Sequence, residues 1–245
     1  MIDFDKELFE YASKMCLTLI NRMSNYNLWE KVSRFYYTEI YEVRDFCNRE
    51  AFLNPIVLLS ILTDRLIELE QVVNFLEQNR LTCITGTQGY GKTDFGLKLY
   101  EAWKQKNNGV LVTNNKTVET DKIYVASDKE LKTALENTPG KKYVLLDEGG
   151  KILSLYTKAF SKRTQTWLEY ANDVRKYDAV FVFISPLFSI MFKGIRRFVK
   201  MIIQKLSLKT ASIWLASELF PFLLTDIERT AILFDTHEIA VWNRE

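Results

Sequence analysis

The chain has 245 residues, 47% of them hydrophobic and 26% charged, with a formal net charge of only +2. That is enough apolar content to bury a large core, and it excludes a disordered or collagen-like chain. Three cysteines, four prolines and nine glycines exclude a disulfide scaffold and leave little room for a flexible linker. The runs Ile56–Leu62 and Ala179–Phe192 are too short, or broken by Pro186, to cross a membrane. No signal-peptide pattern opens the chain, so cytoplasm is the expected address.

Residues 1–79 carry helical periodicity and are read as an N-terminal helical region. Phe4, Leu8, Ala12, Met15 and Leu19 mark a first helix, and Trp29, Val32, Tyr36, Ile40 and Val43 a second. A third opens at Asn54-Pro55, an N-cap residue before proline at the first helical position, and its apolar pattern runs on to Phe75 and Leu76. The aromatic cluster Phe35-Tyr36-Tyr37 is expected to pack rather than to stack on bases.

Residues 80–245 form the second region. Arg80–Thr85 is a short apolar run suited to a buried strand, and Asp94–Trp103 repeats Phe95, Leu99 and Trp103 at helical spacing. Between them Gly86-Thr87-Gln88-Gly89-Tyr90-Gly91-Lys92-Thr93 fits G-x-x-x-x-G-K-[ST]. In that pattern backbone amides converge on phosphate oxygens, the lysine reaches the outer phosphates and the hydroxyl meets magnesium. The loop opens a helix, whose first amides and dipole favour an anion. Gly86 to Asp94 are therefore the expected nucleotide-binding residues, with Mg2+ as the accompanying ion.

Two strand-like runs follow, Gly109–Thr113 and Ile123–Ala126, and then a short helix from Ser127-Asp128 to Glu136. Lys141–Leu146 is an apolar strand ending in Asp147-Glu148. Placed on a strand neighbouring the glycine loop, Asp147 would join Thr93 at the metal and Glu148 would face the attacking water. Fifty-five residues separate Lys92 from Asp147, room for an additional strand and its crossovers. Glu169–Lys176 ends a helix, Ala179–Ile184 is a strand closing at Ser185-Pro186, and Gly194–Arg197 leads into the strand-like Phe198–Ile203. Thr230–Phe234 and Glu238–Trp242 read as a closing β-hairpin with His237 in its turn.

Charge is uneven along this order. Residues 158–209 hold eleven Lys/Arg against three acids, a local +8, whereas residues 1–157 sum to −2 and residues 210–245 to −4. Such a segment suits a phosphate backbone, although a solvated lysine-rich face has the same composition. Cys16, Cys47 and Cys83 lie far apart among apolar residues, and His237 has no cysteine near it, so no zinc site is expected.

The loop and the acidic strand resemble the additional-strand, catalytic-glutamate class of P-loop ATPases. The runs "VTNN", "YVLLDEGG", "DVRKYDAVFVFISP", "KGIRR" and "ILFDTHEIAVW" are similar to the FtsK/HerA superfamily of DNA-pumping ATPases, above all its viral-packaging and zonular-occludens-toxin-like branches. The resemblance covers about residues 80–245. It implies a three-layer α/β sandwich with a mostly parallel RecA-like sheet, and ATP hydrolysis coupled to movement of double-stranded DNA in genome packaging or plasmid transfer. It also implies a homo-oligomer such as a hexameric ring, and leaves a capsid or replication protein as candidate partner for the helical front. Ser185 stands where the superfamily commonly carries a sensor glutamine. Arg163, Arg175, Arg196 and Arg197 are candidates for an arginine finger acting across a subunit boundary, with Arg196 and Arg197 preferred. An AAA+ replication initiator or loader would share loop, acids and polar sensor, but would add a helical lid after Ile203. A slow nucleotide-dependent switch is a further alternative. Asp147-Glu-Gly-Gly150 fits the D-x-x-G of GTPases, yet no N-K-x-D follows it.

Overall fold

The computed structural model describes residues 10–15, 18, 54–153, 162–236 and 242. Most of the first two expected helices, the Phe35-Tyr36-Tyr37 cluster, Cys16, Cys47, His237 and residues 238–241 lie outside the described residues. Residues 10–15 are helical, and Ala12 is buried.

Helix α1 (Pro55–Leu62) begins as its sequence predicts, with the Asn54 side chain accepting from Ile56 N at 3.0 Å. It does not run on to Leu76. Asp64 adopts a left-handed conformation at φ 54°, and Arg65 to Ile67 leave the helix to pair with Leu223: Ile67 N donates to Leu223 O at 3.0 Å and Leu223 N to Arg65 O at 2.8 Å. A second helix, α2 (Leu69–Asn79), then starts with a capping box between Glu68 and Gln71. Apolar spacing across residues 62–69 is compatible with one helix, but sheet pairing wins.

The remaining elements alternate. Strand β1 (Leu81–Gly86) leads to α3 (Lys92–Asn107), β2 (Val110–Thr113), β3 (Lys122–Tyr124), α4 (Asp128–Asn137), β4 (Lys142–Leu146) and the single turn α5 (Gly149–Ile152). Then come α6 (Lys162–Asp173), β5 (Ala179–Ile184), the short α7 (Lys193–Arg196), β6 (Met201–Lys205), β7 (Ala211–Leu215) and β8 (Phe222–Leu224). One sheet of eight strands, in the order β3-β2-β4-β5-β1-β6-β7-β8, is parallel as far as β6 and antiparallel through β7 and β8. Near-continuous apolar runs such as Ala-Val-Phe-Val-Phe-Ile in β5, buried along its whole length, are what a parallel strand covered on both faces requires.

Two cores cover the sheet, giving the expected three-layer α/β sandwich. On one face Val72, Val73 and Leu76 of α2 join Phe95, Leu99 and Trp103 of α3. On the other, Leu131 and Leu135 of α4 pack with Trp167 and Tyr170 of α6. Helix α3 lies very close to the sheet, because a Cβ on Gly96 would meet Leu145 Cδ1 at 2.9 Å. Tyr143 Oη donates to Gly96 O at 2.9 Å. That approach sets the start of α3 over the end of β4.

Two expectations are corrected. Strand β5 lies between β1 and β4, so the acidic strand is the second neighbour of the glycine-loop strand and not the adjacent one. The antiparallel ending is also built earlier in the chain, from β6, β7 and β8. Residues 230–234 form no strand. Their backbone is satisfied elsewhere: Ala231 N donates to Glu101 Oε1 at 2.7 Å and Glu119 N to Leu233 O at 2.8 Å, strapping this coil across α3.

Candidate nucleotide site

The ends of β1, β2, β4 and β5 meet at the carboxyl edge of the parallel sheet, where open α/β folds place their ligands. From β1 the chain enters the glycine loop. Gly89 and Gly91 sit at φ 85° and 69°, and Gly91 is the N-cap of α3. A side chain there would be strained, and these turns direct the first amides of a 16-residue helix outward. Thr87, Gln88, Gly89 and Tyr90 are exposed, and a Cβ on Gly89 would meet nothing within 4 Å. The loop is thus an open cradle of amides, which suits a phosphate chain.

Lys92 Nζ donates to Gly86 O at 2.9 Å and Thr87 O at 3.0 Å, arching over the loop. Burial pushes its pKa down, and the charges of Asp147 and Glu148 push it back up. Both acids therefore share the lysine's cleft.

Thr93 and Asp147 meet directly, Thr93 Oγ1 donating to Asp147 Oδ2 at 2.7 Å. Asp147 Oδ1 accepts from Glu148 N at 2.7 Å. Burial raises the Asp147 pKa, while the Thr93 and Glu148 hydrogen bonds oppose the rise. A hydroxyl and a carboxylate at contact distance are the hard oxygen donors that magnesium takes beside a phosphate chain, so these residues fit that ion. Glu148 is only partly buried and stands in the left-handed region at φ 56°, as N-cap of α5. A non-glycine residue there costs about 1 kcal/mol, the kind of strain that collects at functional sites.

One residue of this site was not singled out from the sequence. Asn114, 1% exposed at the end of β2, clamps the Asp147 backbone from both sides: its Oδ1 accepts from Asp147 N at 2.8 Å and its Nδ2 donates to Asp147 O at 2.9 Å. The run "VTNN" contained it, but asparagine after a strand is an ordinary turn residue.

Ser185 ends β5, between the loop strand and the acidic strand, and is fully buried. Its Oγ donates to Leu187 O at 2.8 Å, so the proton is used locally and the oxygen's lone pairs remain for accepting. Arg196 and Arg197 are not brought to this site. They lie in the crossover that descends to β6, whose first residue Met201 pairs with Thr82 at the far end of β1. Arg196 Nε is buried without a hydrogen-bond partner among the described residues. Arg175 is exposed in the turn before β5, and the Arg163 side chain lies outside the described residues.

Lys205 departs from its sequence reading as part of a basic surface. At the end of β6 it is 2% exposed, with Nζ 3.0 Å from Leu208 O and 4.9 Å from the centre of the Phe95 ring. Burial pushes its pKa down to about 7, partly offset by Asp94. An amine with a folded pKa below its ordinary 10.5 binds fewer protons folded than unfolded between those values, so its penalty fades as pH rises through that window. Lys205→Met should therefore gain most stability over the parent at or below about pH 7, with the gain shrinking toward pH 10.5, as thermal unfolding across pH would show. A gain independent of pH would mean that the buried amine is not the source.

No family model matches the chain, and no curated protein matches it. Among solved structures, the N-terminal domain of zonular occludens toxin from Neisseria meningitidis aligns at 17% identity over 64% of this chain and 94% of that one, TM-score 0.44. The genome packaging NTPase B204 from Sulfolobus turreted icosahedral virus 2, in complex with ATP-gammaS, aligns at 9% identity over 61% of this chain and 98% of that one, TM-score 0.46. The pCW3 conjugation coupling protein TcpA with ATPgS aligns at 9% identity over 59% of each, TM-score 0.45. From its own strand order and loop, the chain has the P-loop fold in its additional-strand form, with β5 inserted between the glycine-loop strand and the acidic strand.

Proposed function

We propose that the protein is an ATP-hydrolysing motor that couples turnover to movement of double-stranded DNA and works as a homo-oligomer, with residues 80–245 as its ATPase domain. The observation that carries the hydrolase reading is the 2.7 Å hydrogen bond between Thr93 and Asp147, which joins the glycine loop to the acidic strand. On it rests a division of roles. Lys92 and the amides of residues 86–94 hold the phosphates, Thr93 and Asp147 hold magnesium, and Glu148 orients and deprotonates water. Magnesium, when bound, supplies charge stabilisation to the outer phosphates. Ser185 accepts from a water beside the leaving phosphate, and Arg196 or Arg197 serves a neighbouring subunit's nucleotide.

The DNA part rests on charge. Arg175, Lys193, Arg197, Lys200 and Lys209 are exposed and Arg196 is partly so, whereas Lys205 no longer counts toward a surface. If these groups meet a phosphate backbone, affinity for duplex DNA should fall steeply between about 50 and 200 mM salt. Neutralising Arg196 and Arg197 together should lower the log–log slope by about one, for the phosphate contact made by whichever of the two does not serve the neighbour's nucleotide. A flat slope in the parent protein would remove DNA as the partner and leave a nucleotide-dependent switch.

A further inference from the structure

The site fixes which way a triphosphate must lie. Asp147 and Glu148 follow the end of β4, two strands to one side of β1, and the metal and outer phosphates belong beside them. The nucleoside end must then leave the loop toward the opposite side, where β6 and β7 follow β1 in the sheet.

What stands there is the turn between β6 and β7. It closes on itself, with Leu206 N and Ser207 N both donating to Thr210 O, at 3.0 and 3.3 Å. Its tip also touches the loop: a Cβ on Gly91 would meet Leu208 Cδ2 at 3.5 Å, van der Waals contact. At its tip Leu208 is 53% exposed. A lone exposed leucine is ordinary on a protein surface. This one differs because an ammonium is buried beneath it to hold its carbonyl, at a cost that an apolar residue would have avoided. Asp94, the residue after Thr93, lies against the same corner, beside the Thr230 backbone and the Arg229 and Lys205 charges.

We infer that the β6–β7 turn is the nucleoside subsite, with Leu208 as the apolar surface that covers one face of the base and Lys205 as the positioning residue that fixes the turn over the loop. This rests on the nucleotide-binding reading of the loop. The ligand class is a nucleoside triphosphate whose planar base shields Leu208 from water, and the phosphate loop binds the rest without it.

The test compares ATP with inorganic tripolyphosphate, which has the phosphates and no base, by calorimetric titration of the full chain in Mg2+. Leu208→Ser, a neutral change at an exposed turn position, should weaken ATP about tenfold or more, the loss expected when a base no longer buries a leucine, and leave tripolyphosphate unchanged. Leu208→Met should restore ATP binding. Equal losses for both ligands would show that the turn acts only on the phosphate loop, and unchanged ATP binding would show that the base lies elsewhere; either overturns the subsite. Failure of the parent protein to bind both ligands would instead overturn the nucleotide site itself.

Discussion

Replacing Glu148 with glutamine is expected to leave ATP binding nearly intact and to lower turnover by on the order of a hundredfold or more, the usual worth of a positioned general base. The amide keeps the shape of the side chain but cannot take a proton. Everything that holds the backbone stays, because the Glu148 amide still donates to Asp147 Oδ1 and the residue still caps α5. Binding survives because the phosphates are held by loop amides and Lys92, on the far side of β5 from β4. A filter-binding or calorimetric affinity measured beside phosphate release separates the two quantities. Unchanged turnover would strip Glu148 of its role and turn attention to another base. The left-handed backbone at this residue gives the variant a further use: Glu148→Gly should relieve local strain and raise stability slightly even as turnover disappears, a split that a purely structural residue would not show.

The glycine loop and the acidic pair were legible because their chemistry is compressed into short windows, each bracketed by an apolar strand. What escaped was decided between distant parts of the chain. Residues 62–69 keep helical spacing, and only the partnership of Arg65 and Ile67 with Leu223 ends α1. Ile232, Leu233 and Phe234 look like a strand, but the coil they form bonds to Glu101 and Glu119 and lays Ile232 and Phe234 against the α3 core. Lys205 counts as one more positive charge until the pairing of β6 with β1 and β7 buries it. Asn114 belongs to the same class. Its function depends on β2 lying next to β4, a neighbour relation that no local pattern encodes.

That clamp yields the second large effect. In Asn114→Asp the oxygen that accepts from Asp147 N is preserved, while the donor to Asp147 O becomes an acceptor facing an acceptor. An unpaired buried carbonyl costs about 1–3 kcal/mol. The new carboxyl also stands beside Asp147, whose pKa burial has already raised. A second carboxylate beside Asp147 pushes the proton affinity of the pair up further, and a protonated Asp147 is a poor ligand. The variant is thus expected to need more Mg2+ for half-maximal ATPase rate, and the acid limb of its pH profile should move to higher pH. Turnover at neutral pH should fall by about tenfold or more, since a tenfold change is about 1.4 kcal/mol and the lost bond alone is of that size. The melting temperature should fall by several degrees as well. Raising pH or Mg2+ should recover part of the rate, which loss of folded protein would not permit. A folded variant with the parent's Mg2+ requirement and pH profile would show that Asp147 holds its place without Asn114.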